Sequence, residues 1–275
     1  MRPHIDFIQA QNLPWESAEP LGFADARMKV LSRDGATGAV SCVIELPAGS
    51  ARNGAALAFD EEIYVLDGGI AFGDERLGEN AYAFLPRGFA DNGLTSPDGA
   101  HIVYFRSAAR ADGPETDAAT IASRLVHHVD VSSGDWDGDF DKFGLGSMKA
   151  GARMRILRED PYSGETTYIT ATIAFRRGEK AERHPIVQEF FLLSGELAGE
   201  LGVMQAGAYC YRPPMEKHGP YGSPTGALIL FRGLGGPQET YWDDANPFSF
   251  FPKHQPILPE TLRPLGKPVP RQSRY

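Results

Sequence analysis

The sequence predicts an all-β protein made of two copies of one sandwich or barrel, and three observations carry that prediction. The chain repeats itself at a nearly constant displacement, its apolar residues fall in short runs bounded by Gly and Pro, and long helical periodicity is absent. The repeat is the strongest of the three. Arg27, Met28, Leu31, Asp34 and Gly38 recur as Arg153, Met154, Leu157, Asp160 and Gly164, 126 positions on. Glu62 to Gly68 then faces Glu189 to Gly195, Tyr82 faces Tyr209 and Pro86 faces Pro213, all at 127, and Tyr104-Phe105-Arg106 aligns with Leu230-Phe231-Arg232 at 126. A spacing held over so many residues requires every loop to match in length, which is the mark of a duplicated domain.

Taken in order, each element reads as a strand. Residues 27–34 (RMKVLSRD), a turn carrying Gly38, and residues 39–49 (AVSCVIELPAG) have the β-branched, alternating content of a hairpin. IYVLDGGIAF and, in the second copy, FFLLSGELAGELG follow in the same style, with Gly68 and Gly195 as turn residues. One short helix is expected over residues 117–125 (DAATIASRL), between the copies. The resulting organisation is an N-terminal arm (1–24), a first barrel (25–112), a linker (113–150), a second barrel (151–235) and a Pro-rich extension (236–275) that wraps over a barrel or a partner subunit.

Composition narrows the function classes. A formal net charge of −9 without any Lys/Arg-rich run opposes binding to a phosphate backbone, so no nucleic-acid partner is expected. No stretch approaches 18 uninterrupted apolar residues and the N-terminus has no signal-like apolar core, so no membrane partner and a cytoplasmic location are expected. Cys42 and Cys210 lie far apart in apolar runs and read as core residues, not as a disulfide or a zinc site.

The chemistry-bearing residues cluster in the second copy. Gly178-Glu-Lys-Ala-Glu182-Arg-His184-Pro-Ile-Val-Gln188-Glu189-Phe-Phe-Leu-Leu-Ser-Gly195 resembles the first cupin motif, and Gly207-Ala-Tyr-Cys-Tyr-Arg-Pro213-Pro-Met-Glu-Lys-His218 resembles the second. The phrase RPPMEKHGPYGSPTGALILFRG is similar to the cupin domain of ChrR-type anti-sigma factors. The resemblance extends through the duplication over most of residues 25–235. It implies a bicupin of the RmlC-like superfamily: two tandem double-stranded β-helix, or jelly-roll, barrels, with a homodimer as the usual assembly.

On a strand, residues i and i+2 project to one face, so Glu182 and His184 can both enter a barrel interior. By resemblance, Glu182 stands where the family has its first histidine, His184 is the second histidine and His218 the last. For the remaining ligand, the ChrR-type count of seven back from Gly195 selects Gln188, while the germin-type count of five on from His184 selects Glu189. Apolar residues flank both faces of that strand, so alternation leaves the two open, although the short loop after His184 matches the ChrR-like pattern and favours Gln188. The implied set of Glu182, His184, His218 and Gln188 or Glu189 suits Fe(II), Mn(II), Ni(II) or Zn(II). Tyr209, Tyr211 and Tyr221 are the candidate pocket phenols, with Tyr221 as a proton carrier beside Glu182 and ordinary packing as the commoner role of such rings. His4, His101, His127, His128 and His254 have no partner at ligand spacing and read as surface or packing residues.

The first copy acts as an internal control. Ala55, Leu57, Glu61 and Asp91 fall opposite Glu182, His184, Gln188 and His218, so no imidazole is expected there and the barrel reads as structural. Glu61-Glu62 reads as a solvated pair at a strand start, with a small acid–base pocket as the alternative. The reaction follows only from the resemblance: a metal-dependent oxidoreductase of the non-haem dioxygenase kind acting on a small molecule. The alternatives are a metallohydrolase similar in ligand types to ureidoglycine aminohydrolases and a non-catalytic metal or ligand sensor.

Overall fold

The computed structural model describes residues 2–90, 92–108, 116–136, 140–244 and 247–271. Strands dominate them, and the one α-helix, Ala118–Arg124, lies where it was expected. The Asp117 carboxylate caps it by accepting from the backbone amides of Ala119 and Thr120. The chain divides into two compact units, one centred on Leu13–Gly134 and the other on Pro3–Asn12 with Asp135–Tyr275. Neither terminal segment nor linker is a passive connector. Ile5–Gln9, in the expected arm, pairs with Ala208–Arg212 in the second unit, and Val126–Asp130, in the expected linker, pairs with Ala81–Leu85 in the first.

Both units are built of antiparallel strands. In the first, a seven-stranded sheet runs Val126–Asp130, Ala81–Leu85, Glu61–Gly68, Ala100–Arg106, Val40–Leu46, Arg27–Arg33, Glu16–Ser17, and a four-stranded sheet joins Ser50–Arg52, Leu94–Ser96, Ile70–Phe72 and Glu75–Leu77. In the second, the larger sheet runs Ile5–Gln9, Ala208–Arg212, Val187–Gly199, Ala227–Leu234, Thr166–Thr172, Ala152–Glu159. Gly202–Gln205, Gly222–Ser223 and Arg176–Arg177 complete it through the far end of Val187–Gly199.

That 13-residue strand corrects one expectation. Gly195 does not end it; the strand continues through Gly195 after a register shift between Leu192 and Ser194. Gly195 has φ of +79° and a Cβ there would lie 1.9 Å from the Gly226 carbonyl oxygen, so both conformation and space require glycine. Strand pairing also revises the alignment of the last repeat. Glu62 pairs with Phe105 and Glu189 with Arg232, so the displacement there is 127 and Phe105, not Arg106, stands at the Arg232 position.

Each barrel has an apolar interior: Ile63, Val65, Leu85, Leu94 and Tyr104 in the first, and Phe190, Leu192, Met204, Cys210 and Ile229 in the second. Both cysteines are buried and unbridged. The Glu61-Glu62 pair is buried, not solvated: Glu61 accepts from Arg52 Nη1 at 2.7 Å and Glu62 from the Tyr82 hydroxyl at 2.7 Å. A carboxylate at a central strand start is covered by the sheet, and only a nearby donor makes its burial tolerable. Asp91 lies outside the described residues. No helix of the described residues is long and apolar enough to cross a membrane.

Candidate metal centre

The site is built by three pieces of backbone that sequence spacing could not bring together. Ala181–Arg183 pairs with Tyr241–Asp243 from the Pro-rich extension, with Glu182 opposite Trp242. An isolated antiparallel bridge then joins Glu182 to His218 through Glu182 N–H to the His218 carbonyl at 2.8 Å and the reciprocal bond at 2.9 Å. A third bond, from Met215 N–H to the His184 carbonyl at 2.7 Å, ties the chain beyond Pro213 to the ligand-bearing segment. Residues directly opposite in such a bridge hold their side chains close, which is why His218 meets Glu182.

The side chains converge. Glu182, His184 and His218 each offer a ligand atom, and these atoms lie within 4.8 Å of one another, with both imidazoles buried. The two rings sit 5.2 Å apart and tilted by 50°. His184 Nδ1 lies 2.8 Å from the Glu239 carbonyl oxygen and His218 Nδ1 lies 2.9 Å from that of Glu216. A carbonyl oxygen only accepts, so each Nδ1 carries the proton and each Nε2 turns a lone pair toward the cluster. His184 Nε2, His218 Nε2 and Glu182 Oε2 are buried without a hydrogen-bond partner. His218 Nε2 and Glu182 Oε1 are 3.6 Å apart, beyond hydrogen-bond reach. Bonds of about 2.0–2.2 Å to one ion hold neighbouring ligand atoms roughly 3–3.6 Å apart, which is the spacing already present between His218 Nε2 and Glu182 Oε1, so this donor set suits a divalent metal.

Electrostatics keep the donors in ligating form. Burial lowers the His184 and His218 imidazoles below their ordinary range, and for His218 the nearby Arg212 guanidinium adds to the effect, so both stay neutral. Burial by itself would raise the Glu182 carboxyl, but its polar surroundings, the Arg212 guanidinium among them, carry it below its usual range. The cluster therefore presents two neutral imidazoles and one carboxylate.

The two alternatives for the remaining ligand separate by face. Gln188 lines the cavity with Glu182, Phe190, Arg212 and His218. Glu189 points to the other side of the sheet, where its carboxylate accepts from the Tyr209 hydroxyl at 2.6 Å and pairs with the Arg232 guanidinium. Period-two alternation makes it unable to reach the cluster, and a buried ion pair holds it away. Tyr209 and Tyr211 leave the pocket for the same reason, alternating with the inward Cys210 and Arg212, whereas Tyr221 lines the cavity. Burial raises the Tyr221 phenol well above its ordinary value, so it remains protonated. Sequence reasoning missed Arg212. The available signal was its parity with Cys210 one residue before the motif proline; its hydrogen bond to the Tyr221 hydroxyl became visible only in the folded chain.

The cavity has an apolar wall that includes Leu145, Phe190, Ile229 and Phe231 and a polar end at Glu182, Gln188, Arg212, His218 and Tyr221. These features define the class: a duplicated antiparallel barrel protein with a His/Glu cluster suited to a metal in its second barrel. Residues 139–236 match the ChrR cupin-like domain, and residues 2–110 match a domain of unknown function, DUF4437. The chain has the fold of a two-domain cupin, and the ChrR cupin-like match falls on its second barrel. No curated protein matches it in sequence. Among solved structures it is similar to a Nostoc punctiforme protein provisionally named a dioxygenase, at 18% identity and a TM-score of 0.74, over 89% of this chain and 92% of that one. Protein Ylba from E. coli shares 13% identity at a TM-score of 0.60, covering 83% and 90%. A single-substitution variant of oxalate decarboxylase from Bacillus subtilis shares 11% at 0.56, covering 86% and 78%. Identities this low speak for the fold alone.

Proposed function

We propose that the protein is a metal-dependent oxidoreductase of the non-haem dioxygenase kind that acts on a small molecule in the second barrel. Glu182, His184 and His218 hold the metal and Gln188 completes or tunes the set. The observation that carries this reading is the convergence of three buried donor atoms, none with a protein partner, on one point. Buried polar atoms are otherwise almost always paired. Two histidines and one carboxylate with open positions are the usual setting of non-haem iron oxygenases, and a metal held there supplies Lewis acidity and, as Fe(II), one-electron chemistry with dioxygen. The provisional name of the Nostoc relative points the same way.

The chain's own groups have separate tasks. The apolar wall excludes water and orients the substrate body. Tyr221, kept protonated, donates or carries a proton at its hydroxyl beside Glu182. The Glu239 and Glu216 carbonyls hold the imidazoles in the ligating tautomer. A homodimer is the assembly that the family resemblance implies, and sedimentation velocity checks it.

Elemental analysis of protein purified without added metal, together with oxygen uptake, tests the reading. Iron at near-equimolar content with oxygen uptake supports it. Zinc or manganese without uptake supports the metallohydrolase alternative, which the amide of Gln188 at the cavity wall also suits, and metal without turnover supports a sensor. Full metal content in both His184→Ala and His218→Ala overturns the ligand set.

A further inference from the structure

We propose that the second barrel takes an anionic substrate, a carboxylate with an apolar body, whose charge is held by Arg212. This rests on the reading of that cavity as a substrate site, and it names the class of molecule the site admits.

Arg212 is 1% exposed. A buried guanidinium is almost always matched by a carboxylate, because its desolvation is otherwise uncompensated. Arg212 has none: among the described residues it forms no ion pair, and its Nε and Nη1 donors are buried without a hydrogen-bond partner. Its hydrogen bond to an oxygen runs from Nη2 to the neutral Tyr221 hydroxyl. Four other buried arginines follow the ordinary pattern, with Arg232 on Glu189, Arg158 on Asp160, Arg52 on Glu61 and Arg124 on Asp60. Two carboxylates exert a field on Arg212 without pairing with it. Glu182 belongs to the metal cluster, and Asp6 is itself pushed toward neutrality by burial.

The guanidinium is held in place. Its carbon lies 5.1 Å from the Phe190 ring centroid and 5.5 Å from that of Tyr221. Arg212 shares one cavity with Glu182, Gln188 and His218, and it also lines a second with Asp6 and His4. Three N–H groups on Nε and Nη1 thus remain for an acceptor with two oxygens. A divalent ion at the neighbouring cluster would add positive charge, and a carboxylate is the complementary ligand. The approach agrees: an adjoining cavity, which shares Arg176, Glu182 and Tyr221 with the first, is lined by Arg176, Arg177 and Lys180 against Glu179 and Glu182. That is a cationic entrance on a chain whose formal net charge is −9. The apolar wall beyond Arg212 then selects for a hydrocarbon or aromatic body.

Calorimetric titration of the full-length protein with benzoate, and with benzamide as its neutral isostere, tests the proposal. Benzoate is expected to bind at least 10-fold more tightly than benzamide to the unaltered protein. Arg212→Met is expected to weaken benzoate at least 30-fold with unchanged circular dichroism, and Arg212→Lys to restore part of the loss. Equal binding of the two probes, or no saturable binding of benzoate, acetate or formate, overturns the proposal, as does unchanged benzoate affinity in a folded Arg212→Met. If that variant does not fold, the comparison of probes on the unaltered protein decides. Failure of the metal reading shows up separately, as metal retained in His184→Ala and His218→Ala, and leaves the benzoate result standing.

Discussion

In the first barrel the inward carboxylate is paired with an arginine of the same barrel, and in the second the inward carboxylate and arginine are not paired with each other or with another charged side chain that neutralises them. Ala55, Leu57, Glu61 and Leu85 stand in the first at the positions that Glu182, His184, Gln188 and Arg212 take in the second. Glu61, the one carboxylate among those first-barrel residues, is matched at 2.7 Å by Arg52. In the second barrel the carboxylate faces two imidazole lone pairs and the arginine faces none of its usual partners. Strand order and register are nearly the same in both, so the scaffold tolerates either arrangement. What separates a packed barrel from a site is whether the inward polar atoms satisfy one another or wait for a ligand.

The largest difference between the barrels is expected at the metal. His184→Ala or His218→Ala is expected to lower metal affinity on the order of 100-fold or more, read by elemental analysis after gel filtration, while Glu61→Gln in the first barrel leaves the content unchanged. Next in size is the closed charge pair. Arg52→Met strands a buried carboxylate and should destabilise by about 3–5 kcal/mol in urea unfolding, and Arg52→Met with Glu61→Leu should recover most of that. A smaller effect tests the second barrel by pH. In metal-free protein the His184 and His218 values are depressed, so as pH falls below about 6.5 the unfolded chain binds protons that the folded one does not. Stability is therefore fully present above that pH and declines below it, by up to about 1.4 kcal/mol per pH unit for each imidazole. His184→Gln with His218→Gln should flatten the slope. The smallest effect is at the surface: Arg33→Ala removes an exposed pair with Glu16 and should change stability by less than about 1 kcal/mol.

Much of this was legible in the residues. The repeat and the Gly/Pro punctuation specify a duplicated all-β fold because loop lengths and turn conformations are local properties. His184 and His218 were legible because the motifs carry their own spacing. Gln188 and Glu189 were not separable, since flanking residues on both faces are apolar, and the inward face emerges only from pairing with Arg212 on one side and Gly233 on the other. The burial of Glu61-Glu62 escaped for a related reason: Arg52, the donor that makes it tolerable, comes from another sheet.

The class, the duplication and the two histidines follow from composition, period and spacing along the chain. The convergence of Glu182 with those histidines, the bracing of Glu182 and His184 by the Pro-rich extension, and the lack of a paired carboxylate at Arg212 come from folding. Each of these is a relation between strands distant in the chain, and the pairing that creates it is a property of the folded barrel alone.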